Sequence, residues 1–393
     1  MPGKIITGIS PASHGVLLLI KKASGKKILI IKTSSLGDVI HTLPALSDAQ
    51  KALGDVQFDW IVEENFAEIP RWHRAVNQVI PIAIRRWRKK FLKMLLHNKD
   101  ADIERKEWQN FKQIIQQTHY DAVIDAQGLF KSAWITRYTN GTTYGLDKKS
   151  AREPLAAYFY DHPQAVDKKM HAVERLRTLF AQSLNYSLKD LPLDYGISQR
   201  NPSKPQENNS TTDRKTILFL HGTTWDTKHW PETYWIELSN LLTEKDFQII
   251  IPWGSDIEYQ RAVNIKNSSH KPESVNILKK MNLNELSDKI SRVNLVVAVD
   301  TGLAHLSAAL DKPTIAIYGP TSPGLTGTYG NNQHHLISNI QCSPCFKKHC
   351  NKEKNNISPE CYTEITPEKV IKYIDKEVYG KCTTHHVPYT SYY

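Results

Sequence analysis

The stretch KKILIIKTSSLGDVIHTLPAL, residues 26–46, decides the fold. Lys26–Lys32 is an apolar run of β-branched and leucine side chains, the pattern of a short strand buried on both faces. A polar turn with Gly37 follows, and from Val39 to Leu53 apolar residues return at helical spacing. A strand that feeds a helix through a tight polar turn opens a parallel βαβ unit. Outward from it, Phe58–Val62 and Ala122–Asp125 read as strands, and Trp108–Gln117 and Ala172–Leu184 as helices.

Residues 199–215 lack apolar side chains and are rich in Pro, Asn, Ser and charge, which marks a linker. Beyond it the alternation restarts. Strands are expected at Thr216–His221, Gln248–Pro252, Leu295–Val299 and Thr314–Ile317. Helices are expected near Glu232–Thr243, from Ile257, at Leu303–Leu310 and over 365–378. The fold class is α/β, and the expected organisation is an N-terminal domain over 1–200, a linker at 201–215, a C-terminal domain over 216–380 and a flexible tail at 381–393.

Composition narrows the function classes. With 40% hydrophobic and 23% charged residues, the chain of 393 residues reads as a globular protein of more than one core. No run approaches the ~18 apolar residues of a membrane span, and the Gly15–Ile20 run is too short for a secretory signal. A cytoplasmic location is the expectation. Lys and Arg number 51 against 40 Asp and Glu, a balance of +11 that favours acidic partners: phosphorylated small molecules, anionic lipid or nucleic acid.

In open parallel sheets ligands bind beyond the carboxyl ends of the strands, so the loops there carry the candidate chemistry. The first is Lys32–Asp38, where Gly37 permits close backbone approach and Asp38 stands at a helix start. Asp38 reads either as a helix cap or as a carboxylate facing a ligand. The second is Asp300-Thr-Gly-Leu-Ala-His305, a strand end followed by a helix N-terminus suited to a diphosphate. The third pairs His221-Gly-Thr-Thr224 with Lys228, a cation placed to stabilise a leaving phosphate. The fourth is the basic run Arg85-Arg-Trp-Arg-Lys-Lys90, suited to phosphates or anionic headgroups. Its aromatic interleaving also suits nucleic acid, yet no RNP-type, helix-turn-helix or zinc-finger pattern accompanies it. Cys342, Cys345, Cys350 and Cys361 have near-ligand spacing for a structural zinc ion, with reduced thiols or a disulfide as the competing readings.

These pieces, in this order, resemble the lipopolysaccharide heptosyltransferases of glycosyltransferase family 9, and among them the type I enzymes. The resemblance is carried by KTSSLGDVIHTLPAL (32–46), FDWIVEENFAEIPRWH (58–73), VIPIAIRRWRK (79–89), DAVIDAQGLFKSA (121–133), AREPLA (151–156) and HAVERLR (171–177). It continues in FLHGTTWDTKHWPE (219–232), IPWGS (251–255) and VDTGLAHLSAALDKPTIAIYGPTSPGL (299–325), so it covers about residues 27–330.

The resemblance implies a GT-B fold, two Rossmann-like domains facing across a cleft. It implies Asp38 as general base and Lys228 as the leaving-group cation. Thr223, Thr224, Lys228, Glu258, Met281, Asp300, Thr301, Gly302 and His305 would hold ADP-heptose. Ser35, Gly37, Arg85, Arg86, Arg88, Lys89 and Arg152 would engage Kdo2–lipid A. No catalytic metal or other cofactor is required by this arrangement, nucleic acid is not a partner, and the enzyme would sit peripherally at the inner membrane. The rivals are a type II enzyme with a heptosylated acceptor, a nucleotide-sugar epimerase of the same fold, and a basic nucleic-acid binder.

Overall fold

The computed structural model describes residues 25–95, 101–197 and 214–380, without the side chains of Lys89 and 91–95. The expected linker, apart from Arg214 and Lys215, and the expected tail lie outside the described residues.

The first half runs β1 (Lys26–Ile31), α1 (Leu36–Leu53), β2 (Val56–Glu63), α2 (Glu68–Arg71), β3 (Val76–Ile82), α3 (Ile84–Leu95), α4 (Asp102–Gln117) and β4 (His119–Asp125). It ends with α5 (Phe130–Thr136), β5 (Asn140–Leu146), β6 (His162–Gln164) and α6 (Ala172–Leu184). The second half runs β7 (Thr216–Leu220), α7 (Glu232–Glu244), β8 (Gln248–Ile251), α8 (Asp256–Asn267), β9 (Val275–Ile277) and α9 (Leu283–Ile290). Then follow β10 (Leu295–Val299), α10 (Gly302–Ala309), β11 (Thr314–Tyr318), α11 (Pro323–Thr326), β12 (Gln333–Ile337) and α12 (Pro367–Tyr379).

Each half is one six-stranded parallel sheet, ordered β3-β2-β1-β4-β5-β6 and β12-β11-β10-β7-β8-β9. Both therefore wind outward from a central strand and then reverse, the Rossmann order. The reversal lies between β1 and β4 in one sheet and between β7 and β10 in the other. The central strands are buried on both faces: Ile28–Ile31 and Leu295–Val299 have no accessible surface. That is why their sequences read as continuous apolar runs and not as alternation. Together the two sheets form the GT-B arrangement of two Rossmann-like domains facing across a cleft.

Helix α1 carries the join between the halves. It packs on α6 along one side and on α10 of the second half along the other. Arg177 of α6 clasps Asp48 of α1 through Nε and Nη2 at 2.6 and 3.2 Å, and also donates to the Leu191 carbonyl at 2.7 Å. Removing one partner from a buried pair of this kind costs about 3–5 kcal/mol, because the other charge is left without compensation. One apolar cluster runs from Ile28, Ile30 and Trp60 of the first sheet through Leu43 and Leu46 of α1 to Ala304 and Leu306 of α10. It reaches Leu218, Leu220 and Ala298 of the second sheet. Among the described residues no helix is long and apolar enough to cross a membrane.

The expected elements are present, β10 and α6 with the same ends and the rest with shifted boundaries. Helix α1 begins three residues early, because Ser35 and Asp38 form a capping box that draws Leu36 and Gly37 into the first turn. Edge strands β3, β6, β9 and β12, the inner strand β5, and helices α2, α3, α5, α9 and α11 were not among the expected elements.

Candidate active site

The two reversals place four loop ends at the centre of the molecule. At the first, Lys32 directly follows β1, and its buried side chain donates from Nζ to the Ala126 carbonyl beyond β4 at 3.0 Å. The Gln127 side-chain oxygen accepts the backbone N–H groups of Thr33 and Ser34, each at 3.1 Å. The turn into α1 is thus pinned from both strands, and it sets Asp38. One oxygen of that carboxylate, Oδ2, accepts from the Ser35 backbone N–H at 2.8 Å and from its hydroxyl at 2.7 Å. The other, Oδ1, stands 4.0 Å from Lys32 Nζ, and the side chain remains 43% exposed. Asp38 is therefore a helix cap with one oxygen still open to a ligand. Burial would raise its pKa, but Lys32, the two Ser35 hydrogen bonds and His305 together hold the carboxyl below its usual range.

At the second reversal Asp300 ends β10. Its carboxylate oxygen Oδ2 takes Lys228 Nζ at 2.7 Å and the Thr321 hydroxyl at 2.6 Å. Thr223 donates to the Asp300 carbonyl at 3.1 Å. Lys228 also lies over the Trp225 ring, 4.6 Å from its centroid. Its turn is backed by the loop after β12: Thr227 donates to the Lys347 carbonyl at 2.6 Å, and the Tyr362 hydroxyl donates to the Thr227 carbonyl at 2.9 Å. Thr301 is the N-cap of α10 but makes no side-chain capping bond, which leaves its hydroxyl and the helix end uncommitted. Glu258 closes the neighbouring loop, accepting from the N–H groups of Gly254 at 2.7 Å and Ser255 at 3.3 Å. It leans so close to Gly222 that a Cβ there would fall 2.3 Å from its Oε1.

The starts of α1 and α10 meet. A Cβ at Gly37 would sit 2.5 Å from His305 Cδ2, and one at Gly302 would sit 2.7 Å from Leu36 side-chain atoms, so both positions demand glycine by close approach. His41 Nε2 and His305 Nδ1 lie 3.1 Å apart across this contact. His171 Nδ1 accepts the Val173 N–H at 3.2 Å, which leaves the ring proton on Nε2 to donate to the Gly327 carbonyl of the other half, also at 3.2 Å. The Tyr329 ring stacks on His171, and its hydroxyl donates to Glu174 at 2.9 Å.

Burial pushes the pKa of His171 and of His335 down to about 4 and lowers those of His41 and His305. These rings are neutral at pH 7. Their depressed folded-state values mean that the unfolded chain binds protons first on acidification. Their contribution is whole above pH ~6.5 and is lost as pH falls toward 4. The melting temperature is expected to drop across that window by an amount worth several kcal/mol, with a shallower slope in His171→Gln/His335→Gln. An unchanged slope in that variant, followed by differential scanning fluorimetry, would remove the histidines from the account.

The remaining predicted residues are placed less uniformly. Thr224 is exposed on the loop after β7, and Met281 packs on the shared apolar cluster. Among the acceptor candidates, Arg152 is exposed and its charge reaches Lys32 beside Asp38. Arg85 and Arg86 stand on α3. Arg85 lies over Phe66 at 5.2 Å, and Arg86 is committed to Glu64 at 3.1 Å and Glu107 at 2.8 Å. Arg88 is exposed, and the Lys89 side chain lies outside the described residues.

Lys32, His41, Gln127 and Thr321 belong to the site and were not singled out by sequence. Lys32, Gln127 and Thr321 each stand within three residues of a strand's C-terminal end, a positional signal that could have found them. The four cysteines line one small cavity with Gly319, Pro320 and Thr227. Burial, and then the other three thiols, push Cys361 up to about 12. Among the described residues no three His, Cys, Asp or Glu side chains are grouped so as to hold an ion.

Comparison with known proteins agrees with this fold. The profile of glycosyltransferase family 9 (heptosyltransferase) matches residues 108–356. The lipopolysaccharide heptosyltransferase 1 of Pseudomonas aeruginosa PAO1 is 46% identical over 355 residues, 88% of this chain and 96% of that protein. The solved E. coli heptosyltransferase WaaC with ADP-2-deoxy-2-fluoro heptose superposes with a TM-score of 0.73 at 43% identity, covering 89% of this chain and 99% of that one. A lipooligosaccharide heptosyltransferase 2, from Haemophilus ducreyi, is 26% identical over 372 residues, 89% of this chain and 99% of that protein. By its fold, its paired loop ends and these likenesses, the chain belongs to glycosyltransferase family 9, the heptosyltransferases.

Proposed function

We propose that this glycosyltransferase moves L-glycero-D-manno-heptose from ADP-heptose to the Kdo of Kdo2–lipid A, with inversion at the anomeric carbon. The observation that carries the reading is the opposition of charge across the join. An ionised carboxylate with one open oxygen, Asp38, stands on the first half, and the Lys228 ammonium, paired with Asp300, stands with the uncapped start of α10 on the second.

The donor's diphosphate is placed at Thr301, Gly302 and Lys228, with Thr223, Thr224, Glu258, Met281 and His305 around the rest of the nucleotide sugar. The acceptor is placed on the first half, its acidic groups facing Arg152 and the arginines of α3. Asp38 takes the proton of the attacking Kdo hydroxyl as the new C–O bond forms on one face of the anomeric carbon. The bond to the ADP oxygen breaks on the other face, and the released negative charge falls on Lys228 and the α10 end. No proton, electron or atom is left unassigned.

A type I acceptor is favoured over a heptosylated one by the gap between 46% identity to a heptosyltransferase 1 and 26% to a heptosyltransferase 2. A cytoplasmic enzyme resting on the inner face of the inner membrane follows from that acceptor. The test is ADP release from ADP-heptose with and without Kdo2–lipid A. Release only with that acceptor supports the reading. Release only with an already heptosylated core moves the assignment to type II.

A further inference from the structure

Four large apolar side chains are exposed in one place beside the acceptor half of the site. Phe130 and Trp134 of α5 are each 46% accessible, and Leu155 and Tyr158 of the 3-10 segment Pro154–Phe159 are 63% and 67% accessible. They form one face. Phe130 and Trp134 stack at 6.4 Å, and both contact the Phe159 ring, at 5.3 and 6.2 Å. The Phe130 backbone N–H donates to Glu153 at 2.7 Å and ties the two segments together.

Spacing puts basic residues on the same face. Along α5, Phe130, Trp134 and Arg137 recur at i, i+4 and i+7, with Lys131 exposed beside them. Along the 3-10 segment and the residues before it, Arg152, Leu155 and Tyr158 are three apart, one turn of such a helix. Lys148 caps the group, its ammonium 4.1 Å from the Tyr158 ring centroid. Contiguous exposed apolar surface on a soluble protein marks a contact site. Aromatic rings interleaved with Lys and Arg are the composition that settles at the headgroup level of a bilayer, where the rings meet the acyl boundary and the cations meet anionic headgroups.

The face also has the right position. Helix α5 leaves the same end of the sheet as Gln127, which is bonded to the turn that sets Asp38. Lys131 and Arg85 both act on Glu63 at the end of β2, and Arg152 acts on Lys32. By contrast α3, the basic segment prominent in the sequence, has Arg86 paired to Glu64 and Glu107, and Lys90 to Glu104.

We propose that the α5 and Pro154–Phe159 face docks this protein on the interfacial layer of an anionic bilayer, with the acceptor side of the cleft turned to the membrane. The inference rests on the reading that the acceptor is lipid-borne. Its test begins with the whole protein and vesicles, without any reaction. Co-sedimentation with phosphatidylglycerol-rich vesicles is expected to fall at least about tenfold in Trp134→Ser/Leu155→Ser/Tyr158→Ser. In Lys131→Glu/Lys148→Glu the preference over phosphatidylcholine vesicles is expected to disappear.

Turnover on a deacylated acceptor, Kdo on the sugar–phosphate backbone alone, stays at the wild-type level in both variants. The KM for vesicle-borne acceptor rises. Unchanged vesicle binding in both variants overturns the proposal, as does a loss of self-association in place of a loss of lipid binding. Vesicle binding that depends on the face, with no transfer to either acceptor, sinks the acceptor assignment and leaves the docking face standing.

Discussion

Asp38→Asn will lower kcat for heptose transfer by about 10²–10⁴-fold while leaving the melting temperature near wild type. The two halves of that expectation come from the two oxygens of the carboxylate. The asparagine side-chain oxygen can still accept from the Ser35 N–H and hydroxyl, as Asp38 Oδ2 does at 2.8 and 2.7 Å, so the start of α1 stays capped. What asparagine cannot do is take a proton from the attacking hydroxyl. Because Lys32, Ser35 and His305 outweigh the effect of burial and hold Asp38 below the usual carboxylate range, the base stays ionised into acid. The acid limb of kcat/KM, read over the range where the fold survives, is then expected below the usual carboxylate range, with no inflection where an ordinary histidine would titrate. Near-wild-type turnover in the asparagine variant would end the base assignment. A limb near pH 6.5 would transfer it to an imidazole.

Lys228→Met is expected to cost about 10²–10³-fold in kcat, the scale on which a positioned charge-stabilising group acts on a leaving group. Lys228 has two possible duties, since its ammonium sits 2.7 Å from Asp300 Oδ2. It could serve only to neutralise that carboxylate, which Thr321 would otherwise hold alone. The double variant Lys228→Met/Asp300→Asn separates the duties. If neutralisation is all, removing both charges restores activity. If Lys228 meets the departing diphosphate, the double variant stays as slow as the single one, and that is the expected result. Single-turnover ADP release at saturating donor keeps the comparison on the chemical step.

How much of this was legible beforehand depended on where each residue sits. The central strands were readable because burial on both faces writes an unbroken apolar run, as in Ile28–Ile31 and Leu295–Val299. Edge strands such as β9, Val275–Ile277, and β6, His162–Gln164, are too short and too polar to announce themselves. Asp38 and Asp300 stand out as candidates because Asp38 lies in the first turn of α1 and Asp300 directly follows β10. The partners that make them useful were harder to foresee. Gln127 reaches Thr33 and Ser34 across 94 and 93 residues of chain, and His41 meets His305 across 264, so only the pairing of β1 with β4 and of α1 with α10 brings them together. Arg86 of α3 is a further residue whose partners only the fold reveals. In sequence it stands in what looks like an open cationic run, whereas the fold commits it to Glu64 and Glu107.

The apolar cluster that passes from the first sheet through α1 and α10 into the second makes the two halves one thermodynamic unit. A cleft between two independent globules would let each melt alone. Here the seam itself is dry core, and separating the halves would wet Leu43, Leu46, Ala304 and Leu306 at once. Folding of either half supplies the surface on which the other is completed, so a single calorimetric transition is the expected outcome. It follows that a packing defect such as Leu43→Ala, worth about 2–5 kcal/mol in a core of ordinary rigidity, is felt at the nucleotide-sugar pocket although it lies in the other half.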